Sequence, residues 1–431
     1  MNITITKTAS TVVREPLLKP FGFKGGYLTE VWQTVCGLQG ASGRQAVGLG
    51  TQSVLWSDSA VFAGYSESAG NAIMHLMSEY ALHLARNASF ETPWDLLDQL
   101  LPKVFRYGKT ISGHKQLRLT FALNSLVAVD NAAWMLYAQE HNTESFDALL
   151  PPEYQPVLAH RHSQVAVIPL MSYGVSLDEI KRAVNDGYFF LKVKIGSDPD
   201  HDGDPEKMLK WDMQRLTAIH QLVKDIEIPH TADGHIPYYL DANGRYDTKE
   251  RLQRLLDHAQ KIGMADRILI LEEPFDEHLD IEVGDLGVRI AADESAHSVK
   301  DAKTRIDMGY GAIALKPIAK TMSMSLRIAK LAADKHIPCF CADLTVIPIL
   351  VDWNKAVAAR LPGLPGMKIG LMETNGHQNY TNWETMRRYH PCYGAKWMET
   401  RQGLFHLDDE FFRISGGIFR MPEHYRKLLA L

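Results

Sequence analysis

The chain has 431 residues, 23% of them charged and 45% hydrophobic, with 46 basic side chains against 51 acidic ones and a formal charge of −5. At ~150 residues per domain this length holds about three domains, or one large barrel plus an accessory domain, and the ordinary globular composition excludes a disordered or fibrous chain. The slight acidic balance, with no long run of one sign, argues against a surface built to grip nucleic-acid phosphates and leaves acidic substrates open.

The N-terminal MNITITKTAS alternates polar and apolar residues and reads as a strand, not a secretory signal. No apolar stretch approaches the ~18 residues that span a bilayer, so no membrane partner is expected. Four cysteines are too sparse for a disulfide scaffold and fit a reducing, cytoplasmic setting. Residues 1–60 are β-rich, with alternating runs at 3–13 and 28–38 broken by Gly22, Gly25, Gly26, Gly40 and Gly43. Residues 66–145 read as helices, with helical spacing clearest over 71–85 and 117–137. Pro151, Pro152 and Pro156 mark a boundary near 155.

Short apolar runs then recur at 165–170, 189–195, 237–241, 268–272, 288–293, 312–316, 337–341 and 367–372, each followed by a helical stretch. Residues 196–236 form one enlarged connection. Eight strands alternating with helices predict a closed (β/α)8 barrel. The organisation is therefore an α+β capping domain over 1–155, a catalytic barrel over 156–385, and a tail over 386–431 that folds back on the cap. The tail has a hairpin-like stretch over 411–419 around Gly416 and Gly417.

In such a barrel the chemistry sits at the C-terminal ends of the strands. The second run delivers Lys192-Val193-Lys194, the third Asp241-Ala242-Asn243, the fourth Glu272-Glu273, the fifth Asp293-Glu294, and the sixth Lys316-Pro317. Alternation along a strand puts Lys192 and Lys194 on one face. If that face is the interior, like charge and desolvation lower a lysine pKa and make one of the two a base near neutral pH. Carboxylates from three successive strands repel one another unless a cation holds them, and hard oxygen donors that leave room for water suit Mg²⁺. Within each acidic pair, spacing alone leaves Glu272 or Glu273 and Asp293 or Glu294 open.

The motifs FLKVKIG, YLDANGRY, LEEPF, AADES and IALKP, in that order, resemble the mandelate racemase and muconate lactonizing enzyme branch of the enolase superfamily. The resemblance covers nearly the whole chain. It includes the helix carrying Ala128-Val129-Asp130-Asn131-Ala132-Ala133-Trp134 and a mobile capping loop at 20–26. It implies a TIM-like barrel, Mg²⁺ held by Asp241, Glu272 and Asp293, and acid/base lysines Lys194 and Lys316 on opposite faces of the substrate. Lys192 would polarise the substrate carboxylate and depress the pKa of Lys194.

The implied chemistry is removal of the proton next to a carboxylate through an enediolate. It points to a racemase or epimerase of an N-acyl or peptidyl amino acid, associating as a homo-oligomer. Cycloisomerisation or acid-sugar dehydration by β-elimination on the same site is the alternative, and a non-catalytic metal–carboxylate binding barrel is a reading of another class. The seventh run ends in Cys339-Phe340-Cys341-Ala342-Asp343, without the histidine usual in dehydratases. The eighth run ends in Glu373-Thr374-Asn375, without the Asp-x-Asp that holds a dipeptide ammonium. Asn243, Phe21, Asp343 and Glu373 are the candidate substrate contacts, with Phe23 and Tyr27 beside Phe21 in the capping loop. Gly48-Leu49-Gly50-Thr51, where many relatives have an acid, suggests an altered pocket.

Three further features are set aside. The stretch 198–203, DPDHDG, matches half of an EF-hand loop, but its closing position is Leu209, so it reads as a solvated acidic turn. Cys339 and Cys341 read as core packing, and His297 and His377 as structural histidines near strand ends.

Overall fold

The computed structural model describes residues 1–23 and 26–431; Gly25, one of the expected breaks, lies outside them, as does the Phe23 side chain. The first layer is an antiparallel sheet in the order Gln45–Gln52, Gly26–Gly40, Ile3–Phe23, Ser89–Phe90. The first two strands are longer than their alternating segments. They form a ribbon paired from Ile5↔Gly40 to Phe23↔Gly26, whose far end reaches over the barrel mouth.

Helices Glu67–Ala85, Pro93–Ser112 and Leu119–Glu140 cover one face of this sheet. The last lies almost backbone to backbone on Gln45–Gln52. A Cβ on Gly48 would fall 2.0 Å from the Ala128 carbonyl oxygen, and one on Gly50 2.8 Å from the Ala128 nitrogen. These glycines serve helix-on-sheet contact, which corrects the expectation that they reshape the pocket. Leu119–Glu140 is also long and apolar enough to cross a bilayer, contrary to the sequence expectation, but the apolar stretch is 94% buried inside the protein.

That helix fastens the cap to the barrel. The Asp130 carboxylate accepts hydrogen bonds from the Ser323 hydroxyl (2.6 Å) and backbone N–H (3.0 Å). The Trp134 indole donates to the same hydroxyl at 3.0 Å, and the Trp94 indole donates to the Ser323 carbonyl at 2.9 Å. Burial pushes the Asp130 carboxyl up to about 7 in spite of these donors.

The barrel staves, in order, are Gln164–Ile168, Leu191–Lys194, Tyr238–Asp241, Ile268–Glu272, Ile290–Ala292, Ala312–Leu315, Cys339–Cys341 and Gly370–Glu373. All eight expected strands are present, and neighbours pair in parallel. The first stave closes the ring in two pieces parted by Pro169. Gln164–Ile168 pairs with the eighth stave, and Leu170–Met171 pairs with the second. The gap beside the first piece is filled from the tail. Thr400–Arg401 and Leu404–His406 form a hairpin whose second strand runs antiparallel to Gln164–Ile168.

The hairpin expected at 411–419 is thus elsewhere. Asp409–Ile414 is helical and continues into a 3-10 turn at Ser415–Gly417, because Asp408 caps the helix at the Phe411 N–H and Gly416 and Gly417 adopt positive φ. The tail meets the cap where Ser415 Oγ accepts the Phe146 N–H at 2.7 Å and Arg420 pairs with Glu144 at 2.9 Å. At its end, Leu429 and Leu431 lie where a side chain on Gly37 would fall.

Candidate active site

The strand register aligns the chemistry. Lys194 lies beside Asp241, and Asp241 beside Glu272, across three adjacent staves. Lys192 and Lys194 share the interior face, as alternation requires. The Lys192 ammonium lies 2.9 Å from Asp241, 3.2 Å from Glu272 and 3.1 Å from Glu373, and sits over the Tyr239 ring at 4.7 Å. It bridges the fourth and eighth staves, which face each other across an eight-membered ring, and so forms the floor of the site. Lys194 lies 2.6 Å from Asp241 and donates to Asn243 Oδ1, while Asn243 Nδ2 donates to Glu294 at 3.0 Å.

Across the ring, Lys316 pairs with Asp293 at 2.5 Å and lies 4.6 Å from the centre of the Trp56 ring. Lys194 and Lys316 stand on the second and sixth staves and therefore on opposite walls. A buried second lysine, Lys320, donates to the Asp293 carbonyl (2.5 Å) and the Ala296 carbonyl (3.1 Å), fixing the end of the fifth stave. The cap contributes Arg118, which donates to Glu277 (2.8 Å) and to the Glu294 carbonyl (3.2 Å); Glu277 also pairs with His297 at 2.7 Å. His297 thus belongs to a brace between cap and barrel. His377 packs edge-on to Trp383.

Carboxylate oxygens of Glu272, Asp293 and Glu294 lie within 4.8 Å of one another. Asp241 faces the same cavity, but its Oδ2 is met by both lysines of the adjacent stave and its Oδ1 accepts the Asn243 N–H at 3.1 Å. Glu273 turns away: at φ 40° its carboxylate accepts the backbone N–H groups of Asp293 (2.7 Å) and Ser295 (3.2 Å). The hard oxygen donors fit a divalent cation, and the buried Glu272 Oε2 has no hydrogen-bond partner among the described residues.

The charges do not balance. Seven carboxyl groups around the mouth, Asp241, Glu272, Glu273, Asp293, Glu294, Asp343 and Glu373, stand against four ammonium groups, Lys192, Lys194, Lys316 and Lys320, and all of these but Lys194 are buried. Burial, against the pull of Lys192, holds Glu272 up at about 7. Burial and Glu294 lift Glu273 to about 8, and burial and Glu373 lift Asp343 to about 7. Burial also acts to raise Asp241, but Lys192 and Lys194 bring it below its ordinary value.

The expectation that the paired lysines lower one another needs correction for Lys192. Burial acts in that direction, but Asp241, Glu272 and Glu373 hold its ammonium well above the ordinary value. Asp293, Glu294 and Glu272 similarly outweigh burial at Lys316. The doublet K-x-K shows two cations, and the carboxylates around them come from other staves.

The site opens into a cavity of about 920 Å³ between barrel and cap. Phe21, Tyr27 and Trp56 line it from the cap, and Asp343, Glu373 and Asn375 from the seventh and eighth staves. Glu373 Oε2 accepts from the Asp343 N–H at 3.2 Å, and Asp343 Oδ2 accepts from the Asn375 N–H at 2.8 Å. The sequence reading missed Trp56, Lys320, Tyr173 and Trp211. Only Lys320 left a trace, four residues after Lys316. The set-aside features behave as read: Asp200 and Asp202 are exposed and paired to Lys207 at 2.8 and 2.5 Å, and Cys339 is buried, its thiol pushed up to about 12.

Acids and lysines converging at the C-terminal mouth of a capped barrel define the class. Residues 176–388, just under half of the chain, match the family described as enolase C-terminal domain-like. Residues 176–388, which carry all of the acids and lysines of the mouth described above, are thus an enolase C-terminal domain-like region.

The fold is similar to that of a mandelate racemase/muconate lactonizing protein from Herpetosiphon aurantiacus (TM-score 0.63, 17% identity, covering 94% of this chain and 96% of that one). It is also similar to a dipeptide epimerase from Enterococcus faecalis V583 complexed with Mg and L-Leu-L-Tyr (0.63, 16%, 94% and 97%). A third likeness is to the L-talarate dehydratase from Polaromonas sp. JS666 complexed with Mg and L-glucarate (0.61, 18%, 94% and 92%). No curated protein matches the sequence.

Proposed function

We propose that this enzyme is a Mg²⁺-dependent racemase or epimerase of an N-acyl or peptidyl amino acid, working by proton transfer at the carbon next to a carboxylate. The observation that carries the reading is the placement of Lys194 and Lys316 on opposite walls with the acidic cluster between them. Asp241, Glu272 and Asp293 would hold the cation, with Glu294 beside them. When bound, the cation supplies positive charge that acidifies the α-proton and offsets the charge developing on the carboxylate oxygens.

The lysines divide the remaining work. Lys192, fixed at the floor, presents an ammonium to that developing charge. Lys194 Nζ takes or returns the proton on one face of the carbon and Lys316 Nζ on the other, so either stereoisomer can enter. Trp56 and the cap ribbon line the cavity over the site.

The test is α-proton exchange in deuterated water with Mg²⁺ over a library of N-acyl amino acids and dipeptides, followed by NMR. Exchange with inversion supports the reading, and no exchange in any member rejects it. Loss of water seen by mass spectrometry would instead select β-elimination, the chemistry named for the dehydratase neighbour.

A further inference from the structure

The helix Pro205–Val223, in the enlarged connection after the second stave, reaches three loops of the cavity mouth. Asp212 accepts from the Gly196 N–H and the Tyr246 hydroxyl, each at 2.7 Å, tying down the loops after the second and third staves. The Arg215 guanidinium donates to the Val175 carbonyl at 2.6 Å, tying down the loop after the first, and lies 5.9 Å from the Trp211 ring centre. Between these anchors Trp211 meets Tyr173 edge to face, with ring centres 5.8 Å apart, and both line the cavity. The Tyr173 hydroxyl donates to the Ile195 carbonyl at 3.0 Å, one residue beyond Lys194. A braced aromatic wall therefore stands on the Lys194 side of the site.

The opposite, cap side of the mouth is also apolar, with Phe21, Leu28 and Val31. Each carboxylate of the outer cavity has an internal partner on one oxygen, while Asp343 Oδ1 and Asp198 Oδ1 are buried without a hydrogen-bond partner among the described residues. Glu373 is on Lys192, Asp343 on the Asn375 N–H, Glu179 on Ser176, and Asp198 on the Gly203 N–H. An uncharged apolar group at that end would cover ring surface that Tyr173 and Trp211 present to the cavity. Aromatic rings held in fixed orientation lose little freedom on binding such a group.

We infer that Tyr173 and Trp211 form the specificity wall of this enzyme and that it takes a neutral, apolar acyl group on the substrate nitrogen. This rests on the reading above and adds the identity of the distal group. Trp211 and Tyr173 touch that group only, so they govern binding and leave proton transfer to the lysines.

The experiment compares N-benzoyl-, N-acetyl-, N-glycyl- and N-succinyl-methionine. Both α-proton exchange and calorimetric binding to the Mg²⁺-loaded enzyme are measured, using wild type, Trp211→Ala and Trp211→Phe. The expected result is a preference for the benzoyl compound. Trp211→Ala raises its KM about 10- to 100-fold with kcat within about threefold, leaves the N-acetyl compound nearly unchanged, and Trp211→Phe restores most of the affinity. Preference for the glycyl compound, or for the succinyl compound through Arg245 at the mouth, overturns the inference. So does a Trp211→Ala variant that loses kcat on all four alike. Tight benzoyl binding sensitive to Trp211 but without exchange would sustain the wall and reject the racemase reading, so the two fail separately.

Discussion

Two buried charge clusters in this chain are built to opposite rules. Beneath the tail, Lys355 donates to Asp352 (2.5 Å) and to the Trp397 carbonyl (2.7 Å), its ammonium lies 3.8 Å from the Phe405 ring centre, and His390 lies 3.0 Å from the other Asp352 oxygen. One carboxylate meets one ammonium and an imidazole, and none of these groups lines the cavity. At the barrel mouth seven carboxyl groups meet four ammonium groups beside an open cavity, and three of the acids are driven to about 7 or above. A locally matched pair lowers the cost of burying charge and locks segments together. A surplus of one sign raises that cost and is relieved by a ligand of opposite charge. The comparison separates a structural cluster from a functional one without reference to any relative.

The largest test of that contrast is kinetic. Lys194→Ala and Lys316→Ala should each lower racemisation about 10²–10⁴-fold, with exchange from one stereoisomer hit harder in each variant and melting temperature little changed. Chiral chromatography and NMR exchange read this, and equal loss from both isomers in both variants would break the assignment of walls. Lys355→Met should do the reverse, costing about 3–5 kcal/mol of stability by leaving the buried Asp352 with only the His390 imidazole while kcat of the folded fraction stays near wild type. Urea unfolding and active-site-normalised rates check it.

Saturating Mg²⁺ should stabilise the wild type by about 3 kcal/mol at a hundredfold excess over Kd. Glu272→Gln should lose most of that gain and Lys355→Met should keep it, read by thermal melts with and without chelator. The smallest effect concerns the cap–barrel joint. Ser323→Ala should cost about 1–3 kcal/mol by removing the hydroxyl that donates to the buried Asp130 and accepts from the Trp134 indole. Because the folded Asp130 carboxyl sits at about 7, above its unfolded value of roughly 4, the folded state binds the extra proton. The stability this contributes is complete below about pH 4 and fades as pH rises through 7. Asp130→Asn should remove that slope, seen as a difference between the two unfolding profiles from pH 4 to 8.

Much of the fold was legible because most staves are short apolar runs closed by a charged residue, and alternation put Lys192 and Lys194 on one face. The tail hairpin was misplaced because glycine pairs mark turns of more than one kind. Gly416 and Gly417 end a helix, and the hairpin at 400–406 turns on Gln402 and Gly403, both at positive φ. The choice between Glu272 and Glu273 was not legible from spacing, since it turns on the backbone angle at Glu273. Trp56 and Trp211 carried no mark of function, because a tryptophan at a cavity and one in a core have the same sequence surroundings.

By itself the sequence determined the order and kind of the groups: eight staves, acids on three neighbours, lysines before and after them. Periodicity and spacing are properties of the chain alone. The proton affinities of the lysines, the acids that converge, and the aromatic wall facing the cavity were decided only by the tertiary structure. Each depends on the number and sign of neighbours brought from distant segments, and Coulombic interaction and desolvation act through space, not along the backbone.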